Sequence, residues 1–165
     1  KSSAASDVYK RQTYTGQNLG AMQYDRAKKG ARFGILVSIT LAELIGVGMY
    51  VFAPQLISIF TPTPEVIALG TQQARTIALF YCLLAYSHAV ASVCRGAGKA
   101  FVPMTIMLAT WCALRIVYIT TVMHIVHEIQ YIYWAYPLTW SVSSVIYFIY
   151  YHRSDWIHGF EAKEH

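Results

Sequence analysis

Four apolar stretches, 33–53, 66–94, 102–123 and 131–151, fill most of this 165-residue sequence, and each is long enough to cross a bilayer as a helix. About twenty residues rising ~1.5 Å each cover the ~30 Å hydrocarbon core. Lysine and arginine are spread unevenly over the joins. Arg26, Lys28, Lys29 and Arg32 precede the first stretch, Arg95 and Lys99 separate the second from the third, and Arg153 and Lys163 follow the fourth. The joins 54–65 and 124–130 contain neither residue type. That alternation is the positive-inside pattern, and it places the basic joins and the C-terminus in the cytoplasm. The expected fold class is all-α, a polytopic membrane protein with four transmembrane helices.

Composition agrees. A chain that is 56% hydrophobic and 13% charged has too little polar surface for an ordinary soluble globule, whose charged share is nearer ~25%. The net charge of +5 could suggest nucleic acid, but much of it sits beside predicted helix ends, where topology accounts for it, so no nucleic-acid partner is expected. Cys82, Cys94 and Cys112 lie in or at the edge of apolar stretches without a CxxC pair or a metal-ligand spacing, and read as small buried residues.

The first twelve residues, KSSAASDVYKRQ, are polar, unpatterned and lack the apolar core of a signal peptide. They resemble a translated sequencing-adapter tail, so residues 1–12 are set aside as artefactual or disordered, and the sequence is read as truncated. Residues 13–32 then form the end of a preceding helix and a cytoplasmic connection, with Gly20 the expected helix cap. Residues 33–151 hold the four spans, and 152–165 a cytoplasmic tail. The first span is expected to stop at Pro54, with the short apolar piece beyond it lying at the outer interface. In the second, Thr63, Pro64 and Glu65 make a helix start, and Arg75 falls near the outer interface. Pro137 should kink the fourth span. The aromatics at that span's ends, among them Tyr147 and Trp156, suit an interfacial belt. Gly30 and Gly34 form a GxxxG spacing, and Ala85, Ala89, Ser92 and Gly96 form a small-residue ridge for close helix packing.

No enzyme constellation is present: there is no nucleophile elbow, HExxH, P-loop or GxGxxG after a strand. His124, His127 and Glu128 share an outer join, where a solvated connection is the simpler reading and no metal is expected. Ionisable residues inside the spans are more informative, because charge in hydrocarbon costs several kcal/mol and is kept for a pathway or a pair. Glu43 lies about 15 Å into the first span and Arg115 about 20 Å into the third; His88 lies in the inner half of the second. Glu43 and Arg115 are candidate substrate- or ion-pathway residues. Glu43 could titrate or pair with Arg115 beside a water-filled cavity; a structural buried pair, or a glutamate kept protonated by apolar surroundings, is the alternative.

Two of the joins carry a family resemblance. GQNLGAMQYDRAKKG, starting at residue 16, and VASVCRGAGKAFVP, starting at residue 90, resemble connections in the second half of the multidrug and toxic compound extrusion (MATE) transporters. The matching residues are Gln17, Gly20, Ala21 and the basic run 26–29 in the first, and Arg95, Gly96, Gly98 and Pro103 in the second. The resemblance implies helices nine to twelve of a twelve-helix, two-lobe transporter in the cell membrane, bacterial in type, whose N-terminal lobe and earlier C-lobe helices are the missing partners. It implies export of drugs or amphipathic organic cations in exchange for protons or sodium by alternating access, with no cofactor beyond the coupling ion. The acids that couple transport in known branches lie on other helices or lack a match here, so Glu43 rests on its own position. A lipid-linked oligosaccharide flippase of the same superfamily, or a small four-helix scaffold or anchor subunit, are the competing readings. Membrane lipid is a partner in all of them.

Overall fold

A computed structural model of the chain describes residues 3–126 and 128–158, with side chains from residue 9 onward. His127 and Lys163 lie outside the described residues. Among those residues the secondary structure is helical, with no strand.

Helix α1 (Ser3–Gly20) runs without a break across the compositional boundary at residue 12. Its last turn is anchored by Leu19, 2% exposed, so the helix continues through Gly20 and turns afterwards. Sequence patterning expects Gly20 to be the cap. Instead Met22, at φ 54°, takes the left-handed position. The amide of Gln23 donates to the Asn18 carbonyl at 2.8 Å and that of Met22 to Leu19 at 3.0 Å, the pairing that closes a helix through a left-handed residue. The same device ends α4 (Tyr81–Gly96): Lys99 N–H reaches the Cys94 carbonyl at 3.0 Å and Gly98 N–H the Arg95 carbonyl at 3.1 Å, with Gly98 at φ 77°.

Helix α2 (Tyr24–Ser58) does not stop at Pro54 but passes through it. Proline has no N–H for the carbonyl four residues back, here Tyr50. The Arg75 Nε of α3 (Pro64–Ala78) donates to that carbonyl at 3.1 Å instead, which explains how the helix survives. The second apolar stretch is likewise not one rod. Helices α3 and α4 meet at Leu79 and Phe80 with a bend of 53°. The third stretch holds α5 (Phe101–Met107), a π-helical segment Leu108–Leu114 and α6 (Arg115–Ile125). The fourth divides at Trp134 into α7 (Ile129–Tyr133) and α8 (Ala135–Arg153). Pro137 sits in the first turn of α8 and cannot bond the Tyr133 carbonyl, so the break precedes the proline rather than following it.

Large apolar side chains cover much of the outer surface, and hydroxyl side chains share the interior with apolar ones. Ser87, Ser92, Thr139 and Ser143 are fully buried, while Phe33, Leu36, Leu44, Ile45, Ile116 and Val117 are exposed. Small and hydroxyl residues let helices approach where lipid offers no hydrophobic drive between them, and large apolar residues face outward. Among the described residues two helices, Tyr24–Ser58 and the continuous Phe101–Ile125, are long and apolar enough to cross a membrane, and the bent α3–α4 pair makes a third if taken as one span. Helix α8 is diluted by Thr139, Ser141, Ser143, Ser144 and its tyrosines.

The basic helix ends gather at one end of the bundle. There Leu19, Ala27, Ala31, Val93, Ala97 and Trp156 form one core cluster, bringing together the end of α1, the start of α2, the end of α4 and the chain after α8. Lys99 Nζ donates to the Asp155 carbonyl at 2.6 Å and holds that chain in place. Trp156 stacks on Tyr151 at 5.4 Å inside this cluster, and Tyr147 is fully buried with its hydroxyl donating to the Pro103 carbonyl at 3.0 Å. These two rings therefore serve packing and not an interfacial belt, because each finds neighbours across the bundle.

Candidate functional site

Helix α4 is the central element, packed against α1, α2 and α8. Its N-terminus opens at the bend. Gly46 of α2 lies against the end of α3 so closely that a Cβ there would come within 2.3 Å of the Ala78 carbonyl oxygen. One turn earlier on α2, Glu43 Oε2 accepts the backbone N–H of Cys82 at 3.2 Å. A helix start leaves its first amides without intrahelical partners and carries partial positive charge, so a carboxylate is well placed there. An apolar cavity of about 470 Å³ opens beside this contact between α2, α4 and α8, lined by Ile39, Cys82, Tyr86, Ser144 and Phe148 among others.

Beside that cavity, between α4 and α8, lies a buried polar cluster. The Ser87 hydroxyl is 3.0 Å from both the Ser143 and Ser144 hydroxyls of α8. Ser144 donates to the Leu83 carbonyl at 3.0 Å, Ser143 donates to the Trp140 carbonyl at 3.0 Å, and Trp111 Nε1 donates to Ser143 Oγ at 3.3 Å. With the Ser143 and Ser144 protons given to carbonyls, the one Ser87 proton can serve only one of the two neighbouring hydroxyls at a time. Trp111 comes from the π-helical segment, a feature frequent at functional sites, and the His88 ring meets it edge-on at 5.1 Å. Sequence patterning does not single out these serines or Trp111. The run SVSS at residues 141–144, polar within an apolar stretch, is the signal that would have found them.

Glu43 and Arg115 are not brought together. Arg115 leaves the π-helical segment and donates from Nη2 to Thr139 Oγ1 at 2.9 Å, with its guanidinium 4.5 Å above the Tyr136 ring. Its Nε is buried without a hydrogen-bond partner. The two ionisable side chains therefore belong to different places: Glu43 to the bend, Arg115 to the contact between α6 and α8. Among the described residues no group of His, Cys, Asp or Glu side chains gathers as a metal site; His127 lies outside them.

The two sequence motifs meet in space. A Cβ on Gly96 would come within 2.6 Å of the Gln12 carbonyl and 2.8 Å of Thr15 Cβ, and one on Gly16 within 3.1 Å of the Gly96 carbonyl, so α1 and α4 cross backbone to backbone there. Gly30 and Gly34 make room on α2 for the Tyr14 and Arg11 side chains of α1. Arg11 donates to the Gly34 carbonyl at 3.3 Å and to the Ser38 hydroxyl. Gly98 supplies the left-handed turn, and Pro103 lies in the first turn of α5 and is buried. Gln17, Gly20 and Ala21 are exposed on the last turn of α1 and just past it, and Arg95 is half-buried in the last turn of α4.

The MatE family model matches residues 11–121. The chain is similar to the probable multidrug resistance protein YoeA of Bacillus subtilis, 22% identical over 139 residues, which cover 84% of this chain and 30% of that protein. It is also similar to the probable multidrug resistance protein NorM of Thermotoga maritima, 30% identical over 83 residues, covering 50% of this chain and 18% of that protein. The chain thus spans less than a third of the length of these relatives. Since the family model covers the motif at the end of α1, the bend and the crossing at Gly96, the chain belongs to the MatE family.

Proposed function

We propose that the chain is the C-terminal part of a multidrug antiporter, supplying helices nine to twelve of twelve, which exports drugs or amphipathic organic cations in exchange for protons or sodium. The four spans are then α2, the bent α3–α4, the continuous α5–α6, and α7–α8, in a bacterial cell membrane with the basic ends and the C-terminus cytoplasmic. The family match, the relatives named for multidrug resistance, the exposed apolar surface and the clustered basic ends all support this reading.

The observation that carries it is the Glu43 carboxylate holding the Cys82 amide at the bend, beside an apolar cavity. A proton or cation on Glu43 would weaken its hold on the start of α4. The angle between α3 and α4 could then change, and differential affinity of the ion for the two arrangements would shift their populations. Such broken helices, with a charge at the half-helix end, recur where transporters bind ions. The exposed apolar face of α2 would be covered by lipid or by the remaining helices of the lobes.

The test is dye efflux from energised cells. The full reading frame that carries this chain should export an amphipathic cationic dye, and an uncoupler or sodium removal should stop it. The 165-residue chain alone should confer neither efflux nor drug resistance. A well-expressed, membrane-inserted full protein that moves no dye under any ion gradient would overturn the proposal.

A further inference from the structure

The groove between α2 and α3 holds polar groups that the transport reading does not use. It encloses 450 Å³ and is lined by Tyr50, Ala68, Thr71, Gln72, Arg75 and Thr76. Arg75 spends only its Nε, on the Tyr50 carbonyl at 3.1 Å, with the Tyr50 ring 5.4 Å from its guanidinium carbon. Its two terminal nitrogens have no partner among the described residues, and no carboxylate forms an ion pair with it there. The Thr71 hydroxyl, one turn away on the same face of α3, is buried and makes no hydrogen bond. A guanidinium with free donors, an unsatisfied hydroxyl and a side-chain amide facing one concavity form a site for an oxyanion.

Depth selects the source of that oxyanion. Tyr50 lies eighteen residues beyond Arg32, about 27 Å along α2, and Arg75 lies twenty residues before Arg95, the basic end of α4. Both therefore stand one hydrocarbon thickness from the basic end of the bundle, at the level of the opposite headgroups. Glu65, the acid at the start of α3, is ten residues away along the helix and does not occupy the groove. We propose that this groove binds the phosphodiester of an outer-leaflet phospholipid. Arg75 receives the phosphate through its terminal nitrogens, and Thr71 and Gln72 donate to the remaining oxygens. The fixed Nε contact keeps the guanidinium plane from swinging into bulk water, so the site is pre-organised. The assignment rests on the membrane-spanning orientation but not on what the protein transports.

Native mass spectrometry of the full protein in detergent, with added phosphatidylglycerol, counts bound lipid directly. Arg75→Gln should lower the affinity for the retained lipid about fivefold, the worth of one basic residue near a lipid surface. Thr71→Val, which keeps the shape and loses the hydroxyl, should lower it in the same direction, and it guards against a folding defect of the arginine variant. Lys28→Gln, at the other end of the bundle, should leave this lipid in place. Inorganic phosphate at millimolar concentration should neither bind nor displace it. Equal lipid retention by wild type, Arg75→Gln and Thr71→Val would overturn the proposal, and so would displacement by inorganic phosphate, which would make the groove an ion site.

Discussion

Glu43 Oε2 and the backbone N–H of Cys82 lie 3.2 Å apart across the bend between α3 and α4, so a side chain of α2 caps the start of α4. A bond to an ionised acceptor in a low-dielectric setting contributes about 1.5–3 kcal/mol, and a neutral amide oxygen about 1 kcal/mol. Glu43→Gln should therefore fold and lose about 1 kcal/mol, whereas Glu43→Ala, which leaves the amide open, should lose about 1–3 kcal/mol. Thermal unfolding of the detergent-solubilised protein reads the difference; equal midpoints for both variants and wild type would show that the contact contributes nothing.

The crossing of α1 over α4 depends on Gly96. Its missing Cβ would lie 2.6 Å from a backbone oxygen that cannot move without its helix. Gly96→Ala should cost about 1–3 kcal/mol through forced displacement of α1. Gly46→Ala should behave alike at the bend, where the clash with the Ala78 carbonyl is 2.3 Å. Gly20→Ala meets nothing within 4 Å and should be neutral or gain about 0.5–1 kcal/mol from helix propensity. Protease resistance of the membrane-inserted variants ranks them.

Met22 occupies a left-handed position that costs an L-residue about 1–2 kcal/mol. Met22→Gly should raise the unfolding midpoint, and Gly98→Ala, the reciprocal change after α4, should lower it. Opposite signs are the requirement; two changes of the same sign would mean that these turns do not end their helices in this way.

The Trp111 to Ser143 bond ties the π-helical segment to α8. Interhelical hydrogen bonds in membranes average about 0.6 kcal/mol, so Trp111→Phe should cost little stability. Its indole fluorescence is the better probe, since losing the hydrogen bond in Ser143→Ala should shift the emission of Trp111 to the blue in a variant where it is the sole tryptophan. An unchanged spectrum would remove the bond.

Much of the framework is legible in the sequence, and the breaks are not. Hydropathy locates the four stretches because apolar length is a local property, and the small-residue ridge ending at Gly96 announces close helix packing, whereas the left-handed turn at Gly98 is seen only in the structure. The bend at Leu79 and Phe80 has no proline or glycine at it; it arises from contacts with Gly46 and Glu43 on another helix, which no window along the chain contains. The Glu43 to Arg115 pairing fails for the same reason: similar depth does not bring together side chains that face different neighbours. Pro54 misleads in the opposite direction, since Arg75, twenty-one residues on, repairs the bond that the proline removes.

The central claim is that Glu43 at the α3–α4 bend takes part in ion-coupled export. Reconstitution of the full reading frame in proteoliposomes, with an imposed proton or sodium gradient and a fluorescent cationic dye, measures this directly. Wild type should move dye only down the coupling gradient, and Glu43→Gln should lose at least tenfold in rate or lose its dependence on the gradient while remaining folded. A Glu43→Gln protein with the wild-type rate and the same ion dependence would contradict the account.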